Sequence, residues 1–160
     1  KFGLDFPEPK RFATKGEYIP SLSGEGKMSK SVEGSYIGLT DDAETIKSRL
    51  AGAPTDSGKG KVVPTEGGVA NLLKFVELFE GEGKRKGYEK DYTTTGIKYS
   101  SLKEDLAEAI YKELEPIQKK RKEIEAKPGY VEKVIKEGAQ RAGEIAKETL
   151  KEIKKAMGLI

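Results

Sequence analysis

The sequence predicts a mainly α protein, and three observations carry that expectation. From residue 67 onward apolar residues recur at steps of three and four, over stretches longer than a strand needs. Charged side chains make up 36% of the chain with both signs interleaved, the composition of solvated helix faces. The first forty residues hold Pro7, Pro9, Pro20 and several glycines, but too few β-patterned runs to build a sheet of their own.

Tyr18-Ile19 and Tyr36-Ile37 are candidates for short extended segments in this lead-in. Cut away from a larger domain, the lead-in is expected to be poorly supported. Thr40-Asp41-Asp42 reads as a helix start, with an N-cap candidate and acids in the first turn, and the helix should reach about Leu50 with Ile46 and Leu50 inward. Residues 51–65 form a Gly/Pro/Lys-rich connection long enough to be mobile. Val69, Leu72, Leu73, Val76 and Phe79 then mark a helix that Gly81-Glu82-Gly83 ends, and a further turn or two follows through Tyr88 to Tyr92. Ser100 or Ser101 is expected to cap a long helix with a stripe of Leu102, Leu106, Ile110, Leu114, Ile117 and Ile124, kinked or restarted at Pro116. Pro128-Gly129 breaks the chain before a last helix. Its small residues Gly138, Ala139, Ala142, Gly143 and Ala146 should let it pack closely, antiparallel to its predecessor.

Composition removes several classes of chemistry. With no cysteine there is neither a disulfide nor a thiolate metal site, and with no histidine either, a structural zinc ion has essentially no ligands. No apolar run is long enough to span a bilayer, and the N-terminus lacks the pattern of a signal peptide. The net charge of +3 is mild, but the first 97 residues are balanced and the whole excess falls in residues 98–160. Lys119-Lys120-Arg121-Lys122 is its densest cluster. A basic helical stripe can follow a phosphate backbone; on charge alone, a solvated face with i,i+4 ion pairs such as Glu115–Lys119 is the preferred explanation.

Lys27-Met28-Ser29-Lys30-Ser31 is the segment that carries chemistry, with Gly24 and Gly26 just upstream. Two ammonium groups three residues apart, with serine hydroxyls beside them, can close on polyphosphate oxygens and stabilise the charge that a departing pyrophosphate gathers. The pentapeptide matches the second signature of the class I aminoacyl-tRNA synthetases. Phe6-Pro7-Glu8-Pro9 and Ile19-Pro20-Ser21-Leu22 before it resemble the bacterial-type tryptophanyl-tRNA synthetases. So do residues 39–46, Thr55-Asp56-Ser57 and Gly68-Val69-Ala70-Asn71-Leu72-Leu73 after it, with Asp105-Leu106-Ala107, residues 114–118 and Glu137-Gly138-Ala139 further on. The resemblance covers nearly the whole chain, and the related tyrosyl enzyme is the nearest confusion.

That resemblance implies a fold: a C-terminal helical bundle preceded by the trailing edge of a class I synthetase Rossmann-type nucleotide-binding domain. Residues 1–50 would end the catalytic domain, and residues 51–160 would form a helical domain that binds the tRNA anticodon. The implied activity is tryptophan–tRNA ligation, with ATP as substrate, Mg²⁺ accompanying it, tryptophan and tRNA(Trp) as partners, and a cytoplasmic location. Lys27 and Lys30 are the implied catalytic residues, and Lys27, Met28, Ser29, Lys30 and Ser31 the implied ATP contacts, Met28 as a packing anchor; no residue is assigned to a metal. Lys98, Lys119, Lys120, Arg121, Lys122 and Arg141 are the candidate tRNA contacts. Tyr92, Tyr99, Tyr111 and Tyr130 are candidates to stack on bases, though half-buried packing is the commoner use of tyrosine in helical bundles.

The histidine-bearing first signature of class I is absent, and the chain begins at Lys1, so a C-terminal fragment inactive by itself is expected. The family's homodimer, formed mostly through the preceding domain, is expected of the longer chain rather than of this piece. Two readings of another class stand beside this one: a stand-alone helical RNA-binding module, and a helical hairpin for protein–protein contact.

Overall fold

The computed structural model describes residues 3, 7–14 and 16–160. Phe6, in the first of the resembling stretches, lies outside them. Among the described residues five helices follow one another: α1 (Ala43–Ala51), α2 (Gly67–Phe79), α3 (Glu82–Thr93), α4 (Tyr99–Glu125) and α5 (Pro128–Ala156). Among the described residues there is no strand, only one isolated antiparallel bridge between Pro20 and Lys27. The mainly α expectation is met. By packing, the chain forms two compact units, residues 13–118 and residues 1–12 with 119–160.

The core of the 13–118 unit is built from the stripes that the periodicity marks. Ile46 and Leu50 of α1, Leu72, Leu73, Phe75 and Val76 of α2, and Leu102, Leu106 and Ile110 of α4 are all essentially inaccessible. Removing each such side chain from water contributes roughly 1.5–3 kcal/mol before entropy is counted. Phe75, which the step pattern passed over, packs parallel to Phe79 at 6.4 Å. Leu22 of the irregular lead-in joins this core with 2% of its surface exposed, so the lead-in is anchored at Leu22, whereas residues 7–14 and 16–18 are exposed, as a poorly supported segment would be.

Polar contacts from α4 hold α1 at both ends. The Gln118 amide donates to the Leu39 and Asp41 carbonyls at 3.0 and 2.9 Å, just ahead of α1. The Lys103 ammonium donates to the Ala51 and Ala53 carbonyls at 2.9 and 2.7 Å, at its C-terminal end, where the helix dipole favours a cation. Asp42 caps the N-terminus through the Thr45 N–H at 2.8 Å. α3 is longer than the turn or two expected. α4 starts at Tyr99, before either serine proposed as its cap, and Pro116 lies inside it without ending it.

The connection between α1 and α2 is strapped down. Asp56 accepts hydrogen bonds from the Tyr92 hydroxyl (2.6 Å), the Tyr99 hydroxyl (2.7 Å) and the Gly58 N–H (2.7 Å). Gly60 N–H donates to the Tyr92 carbonyl, and Ile97 N–H to the Gly58 carbonyl. Local composition had suggested mobility because these partners lie on α3 and α4, far along the chain.

In the second unit, α5 opens with Pro128 at its first turn. It carries the apolar residues Val131, Val134, Ile135, Ile145, Leu150 and Ile153, yet buries none of its side chains, and Val134, Ile135, Ile145 and Leu150 are exposed. A Cβ added at Gly138 or Gly143 would meet open space. The close packing expected through these small residues is therefore not formed.

The Asp56 strap makes a testable contribution to stability. Burial works to raise the Asp56 pKa, but hydrogen bonds from Tyr92, Gly58 and Tyr99 outweigh it and leave the carboxyl below its ordinary 3.8. The charged form therefore adds stability above that value and loses it as pH falls through the folded-state pKa. Asp56→Ala should lower the unfolding free energy by about 0.5–1 kcal/mol at pH 7, because the Tyr92 and Tyr99 hydroxyls lose their acceptor at an exposed position where water can partly replace it. Urea titrations should show this gap closing as the pH is taken below 3.8.

Candidate functional site

The lysine loop begins where the chain leaves the core. Ser21 and Leu22 are buried and start a tight turn, closed by the Ser21 N–H on the Gly26 carbonyl at 3.0 Å. Gly24 in that turn has φ +95°, and a Cβ there would stand 3.2 Å from the Gly68 nitrogen at the start of α2. This is a left-handed backbone position against a close neighbour, and glycine suits both demands. Gly68 is as restricted on its own side, because a Cβ there would lie 2.1 Å from the Pro54 carbonyl oxygen.

The turn returns beside its own start. The Met28 N–H donates to the Ile19 carbonyl at 2.9 Å, next to the Pro20–Lys27 bridge. Met28 packs against the core from a half-buried position, the anchoring role expected of it. Beyond it, the buried Ser35 hydroxyl donates to the Ser29 carbonyl at 2.6 Å and accepts from the Ser29 N–H at 3.3 Å. Leu22 N–H donates to the Ser35 carbonyl at 2.9 Å, which ties the two ends of the segment together. The Ser29 hydroxyl accepts from the Ser31 N–H at 3.3 Å, so one signature serine shapes the loop itself.

Lys27, Lys30 and Ser31 are exposed. Among the described residues neither lysine has an ion-pair partner, so both ammonium groups stand on a braced loop with their charge uncompensated. Such a loop can meet an anion without first breaking a salt bridge. A cleft of about 620 Å³ adjoins the turn, lined in part by Tyr18, Pro20, Glu25, Thr65 and Asn71.

The other predicted residues fall in two places. Lys98 is exposed just ahead of α4 in the 13–118 unit. Lys119, Lys120, Arg121 and Lys122 are exposed on the last turns of α4, and Arg141 is exposed on α5. Four consecutive helical residues turn about 100° each, so the cluster surrounds the helix instead of lining one stripe. Lys120 pairs with Glu123 at 3.0 Å and Arg121 with Glu125 at 2.7 Å, the local ion pairs of a solvated face.

The four tyrosines divide similarly. Tyr92 is buried, and both it and Tyr99 give their hydroxyls to Asp56. Burial, and then the Asp56 carboxylate, push the Tyr99 phenol well above its ordinary pKa. Tyr111 is half-buried against the core, whereas Tyr130 is exposed. Sequence reasoning missed Ser35, which holds Ser29, and gave no role to Asn71, whose side-chain amide donates to the Ser21 carbonyl at 2.8 Å. Ser35 left no local signal, but Asn71, a polar residue directly before the buried pair Leu72-Leu73, was a visible exception.

Comparisons with known proteins agree on where this arrangement belongs. The family model described as tRNA synthetases class I (W and Y) matches residues 1–115. The tryptophan–tRNA ligase of Porphyromonas gingivalis is 35% identical over 96% of this chain and 47% of its own length. That of Caldanaerobacter subterraneus is 38% identical over the whole chain and 49% of its own length. A crystal structure of tryptophanyl-tRNA synthetase from Campylobacter jejuni, complexed with ADP and tryptophan, superimposes with a TM-score of 0.67 at 26% identity, covering 88% of this chain and 43% of that one. The chain spans about half the length of the curated relatives it matches. With its lysine loop in the family's sequence context and its helices in the family's fold, the chain belongs to the class I tRNA synthetases of the tryptophan and tyrosine group.

Proposed function

We propose that this chain is part of a tryptophan–tRNA ligase, which activates tryptophan with ATP and transfers it to tRNA(Trp). The observation that carries the reading is the pair of exposed, uncompensated ammonium groups, Lys27 and Lys30, on a loop braced by Ser21, Leu22 and Ser35. The relatives named above are tryptophan rather than tyrosine enzymes, which favours tryptophan as the amino acid.

In the first step the tryptophan carboxylate attacks the α-phosphorus of ATP. A carboxylate–phosphorus bond forms, the α–β bridge bond breaks, and pyrophosphate leaves with its electron pair. No proton need be moved by the loop. What the step needs is positive charge where the leaving group becomes more anionic, and charge that acts there more strongly than on bound ATP raises the rate. Lys30 is assigned to the β- and γ-phosphates and Lys27 to a second contact on the same oxygens. Ser31 donates from its exposed hydroxyl, Ser29 fixes the loop, and Met28 anchors it. ATP enters with Mg²⁺ on its phosphate oxygens, hard ligands suited to that ion. The amino-acid pocket would come from the part of the ligase that this chain does not span.

Residues 1–50 are assigned to the end of the catalytic domain and residues 51–160 to a helical domain for the anticodon end of the tRNA. That division is one of function, since Leu22 shares a core with α1, α2 and α4. Lys98, Lys119, Lys120, Arg121, Lys122 and Arg141 are assigned to tRNA phosphates.

Two measurements test these assignments. In the complete natural chain, Lys30→Ala should slow tryptophan-dependent ATP–pyrophosphate exchange by roughly 10²–10³-fold, with a smaller change in substrate affinity. An unchanged exchange rate would remove the loop from the chemistry. Neutralising Lys119, Lys120 and Lys122 together should weaken tRNA(Trp) binding and flatten its salt dependence by about 0.7–0.9 in log–log slope per lost phosphate contact. A salt slope equal to that of the unaltered ligase would leave these lysines as a solvated helix face.

A further inference from the structure

We propose that Asn71 is a positioning residue for the lysine loop, acting through the carbonyl of Ser21; the inference rests on the reading of that loop as the phosphate-binding element of a synthetase. The Asn71 side-chain amide donates to the Ser21 carbonyl at 2.8 Å across fifty residues of sequence. Ser21 is buried, with 1% of its surface exposed. Its N–H closes the turn on Gly26, and its hydroxyl accepts from the Ser23 N–H at 3.0 Å and shares a 2.6 Å hydrogen bond with the Ser23 hydroxyl. Displacing the Ser21 carbonyl therefore displaces the turn that ends at Lys27.

Asn71 is well placed to hold that carbonyl. Its neighbours Leu72 and Leu73 are buried at 1% each, so α2 is fixed by the core and the amide is carried on a rigid support. Gly24 meets Gly68 one turn earlier on the same helix. The first turns of α2 thus touch the lysine-bearing turn twice, once by backbone proximity and once by a directed hydrogen bond. Only the second is set by a side chain. The apolar face of α2 is supplied by Val69, Leu72, Leu73, Phe75 and Val76, and the Asn71 amide is directed instead at the Ser21 carbonyl.

The test uses the complete natural chain with Asn71→Asp, which keeps the shape but turns a donor toward the carbonyl into a second acceptor, and with Asn71→Ala. Both variants should lower the turnover of tryptophan-dependent pyrophosphate exchange about tenfold or more while leaving the KM for tryptophan unchanged. Combined with Lys30→Ala, Asn71→Asp should cost little further, because the residue acts through the loop that Lys30 occupies. Full additivity with Lys30→Ala, or unchanged turnover in both single variants, would overturn the proposal. Hydrogen exchange gives a readout that does not depend on activity. The amides of Ser21, Leu22 and Met28 should exchange at least about tenfold faster in Asn71→Asp, while those of α4 keep their rates. Equal acceleration everywhere would mean that Asn71 serves only global stability. If the unaltered ligase showed no tryptophan-dependent exchange, the synthetase reading would fail, and local acceleration at the loop would still establish the brace.

Discussion

Burying Leu22 forces most of the other arrangements around the lysine loop. A leucine from an irregular segment gains the hydrophobic stabilisation of a helical core only if the backbone beside it enters too, and that backbone brings polar groups that must find partners. Leu22 N–H takes the Ser35 carbonyl, Ser21 N–H takes the Gly26 carbonyl, and the Ser21 carbonyl takes the Asn71 amide. Each bond that solves the solvation problem also fixes a point of the loop. The loop is consequently rigid at its base and exposed at its tip, where Lys27 and Lys30 stand.

The same economy governs the rest of the 13–118 unit. α1 is only nine residues long, too short to be stable by its own hydrogen bonds in water. It persists because Ile46 and Leu50 are buried and because α4 supplies Gln118 ahead of it and Lys103 behind it. Asp56 does for the following connection what these residues do for α1, collecting two phenols and an amide at one carboxylate. Three polar side chains thus tie local segments to α4 or α3, and a modest apolar core suffices to hold an irregular chain path.

α5 presents the opposite balance. It has a clear apolar stripe and strong local helix signals, including Pro128 at its first turn and lysines in its last, yet no buried side chain. Those local signals act whether or not a partner covers the stripe. The basic cluster on α4 is similar in kind: its ion pairs with Glu123 and Glu125 lie within one helix and do not depend on tertiary structure.

What the sequence determined by itself was whatever lies within one turn of helix or one loop. The 3.6-residue period located α2 and α4, the Thr40-Asp41-Asp42 run marked the start of α1, Pro128 marked α5, and five consecutive residues identified the lysine loop. The tertiary structure alone decided that Leu22 of the lead-in enters the core, that the connection after α1 is tied at Asp56, Gly58 and Gly60, that Tyr92 and Tyr99 serve Asp56, and that Asn71 and Ser35 hold the base of the loop. The reason is the span of the interactions concerned. Hydrogen bonds joining residues 36, 43, 50 and 79 positions apart leave no periodicity to read. They exist only once hydrophobic burial has brought the segments together and made each unpaired polar group costly.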